Sequence, residues 1–498
     1  MPLTSILSAV VLAAAAVSAA RVLARAPVRR ELRARPLAAG ALAGTALLLL
    51  WACCRSEAGL HALAATAGAF AVLAFVRARP GFGTSRGLPP GSLGLATSLD
   101  AISDPDFYAR AARRWGPVFK MAQFHRPVVC IVDLSRGLAL LAAERDNLVQ
   151  PPLAFGRLSP GGYIEFMNGP RHVRYRGILQ TALSGRVVAA GRADVEALVR
   201  HQLGAMAARG DAVDPEPFLD RIAFASLARV MYGLPVDDAR VERLACLFAD
   251  LGAPRAFAER RPEHRRAVFA RLTAFIRSLG LDIATRREPD GAAPPPPSVL
   301  GETVRADPAL LDDETLISNL VLIVHVTRNN VRGLLAWVLK EHCDHPAWAG
   351  AGLGASPEVL ATSFVNETLR RQQAEYFYRD VIHEIQLGPY RIPKGWLLRV
   401  CVRECHDDPA VFPDTTTFDP GRFTGRSYDR TEYCPFGDGA HACFGAGLAV
   451  MIARTFVLAL GLDVEARSAA DGPPERAGNR HWSHWRPSAR FRVALRPR

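Results

Sequence analysis

The residues best placed to do chemistry lie in one short stretch, FGDGAHACFG, at positions 436–445. It carries Phe436, His441, a single cysteine, Cys443, and three glycines, Gly437, Gly439 and Gly445, before opening into an apolar run. Gly437 and Gly439 can take turn conformations closed to other residues, and Gly445 lets the backbone pass close under a flat ligand. Cys443 falls where the next helix begins, so amide donors and the helix dipole favour its thiolate. Such a loop is either a plain turn over a buried thiol or a holder that presents the sulfur to a partner. A Phe, two Gly and a Cys at these offsets arise by chance on the order of a few times in a thousand chains of this composition.

A second pattern lies upstream. ETLR places Glu367 and Arg370 at i and i+3 on one helix face, where they can make a buried charge-assisted bond. An arginine-rich chain produces that spacing a couple of times by chance, so alone it says little. FDPGRF follows at 418–423 with Arg422, and GPRHVRYR at 169–176 sets His172 and Arg176 at i and i+4 on one face.

FGDGAHACFG resembles the haem-binding loop of the cytochromes P450. ETLR, YRIPKG, CHDDPAVFPD and FDPGRF resemble that family's segments in the same order and spacing, and the likeness covers essentially everything from residue 88 onward. It implies a mainly α fold with small β-sheets and haem b (iron protoporphyrin IX) as cofactor. It also implies that Cys443 is the axial thiolate whose electron push favours cleavage of the O–O bond. By the same resemblance Phe436 packs by the sulfur, Gly445 lies under the haem, and Arg422 completes the network of Glu367 and Arg370. The haem propionates need cationic partners, and the resemblance assigns them His172, Arg176, Arg379 and His441. Arg174, beside them, is expected to be a solvated surface charge.

The chain departs from the family in its long helix, NLVLIVHVTRNNVRGLLAWVLKEHCDHP. There the family carries an acid and an alcohol that relay protons to iron-bound oxygen. With the register anchored on LLAW and HP, Asn329 takes the acid position and Asn330 the alcohol position; a one-turn slip brings Thr327 or His325 nearer the iron. An amide donates a hydrogen bond but is no proton source at neutral pH. Three outcomes stay open. In a monooxygenase, Asn330 orients a water or a substrate hydroxyl. In a peroxygenase, peroxide is used or a substrate carboxylate is held by Arg328. In a third kind of enzyme, haem catalyses rearrangement or dehydration. His325 is expected to be a buried, hydrogen-bonded residue.

Elements must position these groups. PDFYARAARRW is a helix and GPVFKMAQFHRPVVCIVD a hairpin by its alternation. Amphipathic helices fill 170–285, EPDGAAPPPPSVLG at 288–301 is expected to be a flexible surface insertion, and a long helix is expected from about 311 to 342 with Asp312 and Asp313 at its start. Strands around YRIPKGWLLRVCV and an apolar helix after Cys443 complete the body. No repeat, dinucleotide loop or phosphate loop occurs, which argues against a built-in reductase.

The first 86 residues form a separate region. Apolar stretches at 3–20, 37–54 and 58–76 each approach the ~20 residues of a membrane-spanning helix. Six arginines separate the first two, and Arg77, Arg79 and Arg86 follow the third, so the positive-inside bias sets the amino terminus outside and the body in the cytoplasm. The first stretch is alternatively a cleaved signal ending near AVSAA; the other two still form an anchor. GLPPGSLG at 87–94 reads as a stiff hinge before a catalytic domain at 95–498.

The formal charge of +13 is almost all arginine, with lysine at Lys120, Lys340 and Lys394. That reads first as coding bias and second as a basic surface suited to an acidic ferredoxin or flavoprotein donor. No nucleic-acid module is present, and nine unframed cysteines suit a reduced, intracellular body. The leading expectation is thus a membrane-anchored monooxygenase inserting one oxygen atom from O2 into a lipophilic small molecule. A degenerate haem-binding scaffold is the alternative outside enzymes.

Overall fold

The computed structural model describes residues 87–498 apart from 124–125, 152–157, 253–261, 286–295, 350–354, 374–375 and 477–484. The three apolar stretches of the expected anchor lie outside the described residues. The chain divides into two compact units, Met1–Leu88 with Ala122–Pro127, and Pro89–Met121 with Val128–Arg498. Every functional residue discussed below belongs to the second.

Seven helices carry the site: α1 (Gly169–Ala182), α2 (Arg192–Ala207), α3 (Glu216–Tyr232), α4 (Ala239–Leu251), α5 (Glu314–Asp344), α6 (Pro357–Thr368) and α7 (Ala446–Asp463). The strands are β1 (Gly91–Ser92), β2 (Val118–Gln123), β3 (Arg126–Ile131), β4 (Leu148–Val149), β5 (Phe377–Val381), β6 (Ile385–Leu387), β7 (Tyr390–Ile392), β8 (Leu397–Val400), β9 (Val464–Ala470), β10 (Glu475–Arg476), β11 (Trp485–Arg486) and β12 (Arg492–Pro497). One sheet has the order β1-β2-β3-β8-β5-β4; β6–β7, β9–β12 and β10–β11 form antiparallel pairs. In the large sheet β3 runs parallel to β8, with Val128 opposite Leu397, and β5 runs antiparallel to β8, with Arg379 opposite Leu398. The result is a mainly helical fold with small sheets.

The long helix organises the body. At 31 residues α5 is about 46 Å long. Its flanks explain its course: residues 316–325 are buried all round, as are 334–339, because both runs are nearly continuous in Leu, Ile, Val, Ala and Trp. Helix α3 is equally apolar, packs along α5, and donates the Tyr232 hydroxyl to the Leu320 carbonyl at 3.0 Å. Fully buried leucines and valines of this kind each contribute roughly 1.5–3 kcal/mol. Between the two buried runs the pattern breaks. Residues 326–329 are half-buried and Asn330 is exposed in the middle of a core helix.

Helix α7 is the one helix among the described residues long and apolar enough to cross a membrane. Its Leu448, Met451, Ile452, Phe456 and Leu460 are buried against α2, α5 and α6, so its composition matches its place in the core.

Three local expectations are corrected. GLPPGSLG is not simply a linker: Gly91 and Ser92 pair in parallel with Lys120 and Met121. Gly91 sits at φ 126°, and a Cβ there would lie 2.1 Å from the Lys120 carbonyl oxygen, so the strand closes over a residue with no side chain. The insertion at 288–301 ends early. Ser298 Oγ accepts from Gly301 N at 3.1 Å and caps a helix, Val299–Ala306, whose first two residues are buried. Leu311 and Asp312 belong to a 3-10 turn, Pro308–Asp312, and α5 starts at Glu314.

Asp313 caps α5 by accepting from Leu316 N at 3.0 Å, and it also takes the Tyr175 hydroxyl of α1 at 3.0 Å. Replacing Asp313 with Ala should therefore cost about 1–2 kcal/mol. The expected result is a lower urea midpoint with an unchanged slope, and Asp313→Asn should lose less; an unaltered midpoint for the alanine variant contradicts this role.

Candidate functional site

The cysteine loop is built by its backbone. Cys443 N donates to the Phe436 carbonyl at 2.8 Å, closing the loop across a 3-10 turn, Gly439–His441. Gly437 and Gly439 have φ of 73° and 68°, conformations that side chains disfavour. Gly445 takes an ordinary conformation, with a φ of −86° open to any residue. A Cβ at 445 would stand 3.9 Å from Cys443 Sγ, so this glycine keeps the space beside the sulfur clear. Phe436 is partly buried against the main core.

Cys443 is exposed by surface area, yet burial is the largest influence on its thiol and raises its pKa. The Gly445 N–H and the Arg176 charge pull the other way, towards thiolate, and the Glu165 charge pushes up. The helix-start effect expected from position is thus outweighed by burial in the bare protein: α7 begins at Ala446, and one amide reaches the sulfur.

Around the cysteine lie two arginines and two histidines. The rings of His172 and His441 stack at 4.0 Å. Arg176 lies over Phe444 at 5.5 Å and donates its Nε to Gln180 at 3.1 Å; Arg379, on β5, donates to the Tyr378 carbonyl at 2.7 Å. All four have depressed pKa values, with burial the leading cause: His441 falls to about 3 and Arg379 to about 10. Both histidines are pushed further down by Arg176 and Arg379, so their rings are neutral donors in the bare protein while the arginines keep their charge. Among the described residues no carboxylate is ion-paired to any of the four. Two arginines and two imidazoles grouped in this way favour a bound anion. Arg174 behaves differently, pairing with Asp313 at 3.3 Å with most of its side chain in solvent.

A fully buried pair supports the loop. Arg370 donates Nε and Nη2 to the two oxygens of Glu367, each at 2.8 Å, and neither side chain has any solvent exposure. The remaining guanidinium protons go to the carbonyls of His406 at 3.1 Å and Thr415 at 2.9 Å. Glu367 also accepts from Asp419 N at 3.1 Å, and Arg422 Nε stands 3.7 Å away while its Nη2 donates to the Asp414 carbonyl. His406 is buried, with its pKa lowered to about 3, so its neutral ring accepts from Cys434 N at 2.9 Å. The Tyr433 hydroxyl reaches the Asn366 carbonyl at 2.9 Å. These contacts tie α6 to the chain two residues before Phe436.

On α5 the half-buried stretch is held from one side. Arg328 forms a two-pronged pair with Asp220 of α3, with Nε to Oδ1 at 2.8 Å, and lies over Phe224 at 4.8 Å. Arg332 reaches Glu216 at 3.3 Å and Asp220 at 3.6 Å, and donates to Asn329 Oδ1 at 3.1 Å. Asn329 Nδ2 points to the His325 carbonyl at 3.5 Å. Arg328 already has its carboxylate, so the reading in which it holds a substrate carboxylate has no free cation to use. His325 is buried and its ring faces Phe248 of α4 at 6.1 Å.

Residues with no sequence motif hold a turn against the long helix. A turn, Ile164–Phe166, is pinned to α5 by the buried Asn319, which accepts from Ile164 N at 2.7 Å and donates to the Gly162 carbonyl at 3.0 Å. Gly161 packs so tightly that a Cβ would lie 2.1 Å from Thr315 Oγ1. The turn carries Glu165, which is exposed by surface area although burial alone lifts its pKa to about 7. Its charge raises both Tyr163 and Cys443. The one sequence signal for this arrangement is an asparagine, Asn319, inside the apolar run ISNLVLIV.

Breaking the buried pair should be severe. Arg370→Ala leaves a carboxylate without its partner and should cost about 3–5 kcal/mol. Arg370→Lys should not restore it, because an ammonium cannot make the two-pronged bond and the two carbonyl bonds together. Limited proteolysis and denaturant unfolding measure both; wild-type protease resistance in Arg370→Lys contradicts the geometric account.

Comparison with known proteins agrees with this geometry. The family profile described as Cytochrome P450 matches residues 359–460, which include the buried pair and the cysteine loop. Abscisic acid 8'-hydroxylase 3 of Oryza sativa subsp. indica is 26% identical over 399 residues, covering 73% of this chain and 78% of its own. Cytochrome P450 88A1 of Zea mays is 26% identical over 413 residues, covering 74% and 79%. Among solved structures, retinoic acid bound cyanobacterial CYP120A1 superposes with a TM-score of 0.63 at 19% identity, covering 83% of this chain and all of that one. Cytochrome P450EX alpha (CYP152N1) with myristic acid gives a TM-score of 0.64 at 15% identity, covering 82% and 99%. Fold, buried pair, cysteine loop and relatives agree: residues 359–460 match the cytochrome P450 profile, and the chain is similar to P450 hydroxylases in sequence and to P450 structures in fold.

Proposed function

We propose that the protein binds haem b through Cys443 and inserts one oxygen atom from O2 into a lipophilic small molecule, with electrons from a separate redox protein. The observation that carries this reading is Cys443 in a loop shaped by two positive-φ glycines, with Arg176, Arg379 and the stacked His172 and His441 grouped nearby and paired to no carboxylate among the described residues. Those residues fit the group. His172, Arg176, Arg379 and His441 would hold its two propionates, Cys443 would be the axial ligand, and Phe436 and Gly445 would border the sulfur. Haem, when bound there, supplies the activation of oxygen. Arg176 contributes twice, since its charge also draws the Cys443 sulfur towards thiolate. The buried Glu367–Arg370 pair, with Arg422, fixes the path that delivers the loop.

On α5 the chain works with amides. Asn329 is committed to Arg332 and the α5 backbone, and so serves to hold that turn of helix in place. Asn330, exposed in mid-helix, is the residue that orients a water or a substrate hydroxyl; that bound molecule, not the amide, is the proton source. A peroxide-driven reaction is the second reading, favoured by the lack of an acid and an alcohol at 329 and 330. Its carboxylate-assisted form is weakened by the Arg328–Asp220 pair. Rearrangement or dehydration, and a degenerate scaffold, share that support without adding to it.

The domain reading is a membrane anchor in residues 1–86, a segment at 87–94 and a catalytic domain at 95–498 on the cytoplasmic side. The apolar stretches and their flanking arginines support it. An arginine-rich body suits an acidic ferredoxin or flavoprotein.

Turnover of a lipophilic compound library should require a reductase, an electron carrier and O2, and isotopic label from O2 should enter the product. Product formed with peroxide alone, or without any oxidant, moves the assignment to the second reading or to rearrangement. Arg176→Ala and Arg379→Ala should each lower haem retention on gel filtration, and the double variant more so.

A further inference from the structure

Arg399, on β8, is only 2% exposed, and among the described residues no carboxylate is ion-paired to it. Its guanidinium lies 3.9 Å from the ring centroids of both Tyr108 and Tyr376 and 5.5 Å from that of Tyr378. Nη1 donates to the Tyr378 hydroxyl at 2.8 Å, while Nε is buried with no acceptor among the described residues. A guanidinium buried without an anion is costly, and ring faces with one hydroxyl offset only part of that cost. The charge takes no part in the cysteine loop, the Glu367–Arg370 pair or the long helix.

What the three rings hold in place is β5. Tyr378 lies opposite Arg399 in the β5–β8 register, and the rings of Tyr376 and Tyr378 meet at 4.5 Å. Side chains alternate between the faces of a strand. Tyr378 packs with Tyr108 and Cys130 on one face of the sheet, and Phe377 with Leu134, Leu138 and Val400 on the other. Arg379 therefore leaves the strand on the Phe377 face, opposite Leu398, and its Nη1 donates to the Tyr378 carbonyl at 2.7 Å. That face is closely packed as well: a Cβ on Gly137 would lie 2.9 Å from Val400 Cγ1. The residue on which the Arg379 guanidinium rests is thus the residue that Arg399 pins from the opposite face.

We propose that Arg399 is a positioning residue for Arg379. By clamping Tyr376 and Tyr378 it fixes the carbonyl to which the Arg379 guanidinium is bonded, and so holds that guanidinium where a haem propionate would meet it. The proposal rests on the haem reading above and adds to it a residue that touches neither haem nor substrate. A cation that merely fastens the helix Phe107–Trp115 to the sheet would have no specific tie to Arg379.

The test is a double-mutant cycle on the haem-loaded full chain, read by the rate at which haem passes to excess apomyoglobin. Arg399→Met keeps the length of the side chain and removes its charge; Tyr378→Phe keeps the ring and removes only the hydroxyl. Arg379→Ala should speed haem release roughly tenfold and Arg399→Met about fivefold, and the two together no more than Arg379→Ala alone. In an Arg176→Ala background, on a different element, Arg399→Met should keep its whole effect of about fivefold. Tyr378→Phe should speed release about twofold in the wild type and not at all in Arg379→Ala, and it carries the cycle if the methionine variant does not fold. Effects of Arg399→Met and Arg379→Ala that multiply overturn the proposal. So does release at the wild-type rate in both Arg399→Met and Tyr378→Phe, or an equal loss of the Arg399→Met effect in the Arg176→Ala background. Failure of the haem reading shows separately: the wild-type chain then holds no haem with a thiolate-type carbonyl spectrum, and the proposal falls with it.

Discussion

Glu367 and Arg370 share a site with no access to solvent, and each is stable there only because the other is present. The pair does more than cancel its own charge. Arg370 spends its other donors on the carbonyls of His406 and Thr415, and His406 in turn receives the amide of Cys434. A rigid two-pronged ion pair on one helix is thereby transmitted, through one neutral imidazole, to the segment entering the cysteine loop. The long helix supplies the opposite constraint, packed tightly at both ends and open only around Asn330. These two fixed elements set the backbone on either side of the cysteine loop's fold.

Much of this was legible in the sequence where a residue's chemistry is local. The glycines at 437 and 439 announce their positive φ, and the i, i+3 spacing of Glu367 and Arg370 announces a shared helix face. Asp313 marked a helix start that lies close to the observed one. What depended on distant packing was not legible. The pairing of Gly91 with Lys120, the clamp from Asn319 to Gly162 and Ile164, and the Arg328–Asp220 pair each join positions 29 to 157 residues apart. For Cys443, position along the chain indicated the favourable Gly445 amide but not the opposing effect of burial.

All of these inferences meet at the proposed bond between the Cys443 sulfur and haem iron. The carbonyl complex of the reduced protein tests it most directly, compared between the wild type and Cys443→Ala after reconstitution with equal haem. The account requires the red-shifted Soret band diagnostic of thiolate ligation in the wild type and its disappearance in the variant. An identical carbonyl spectrum in the two proteins would contradict it.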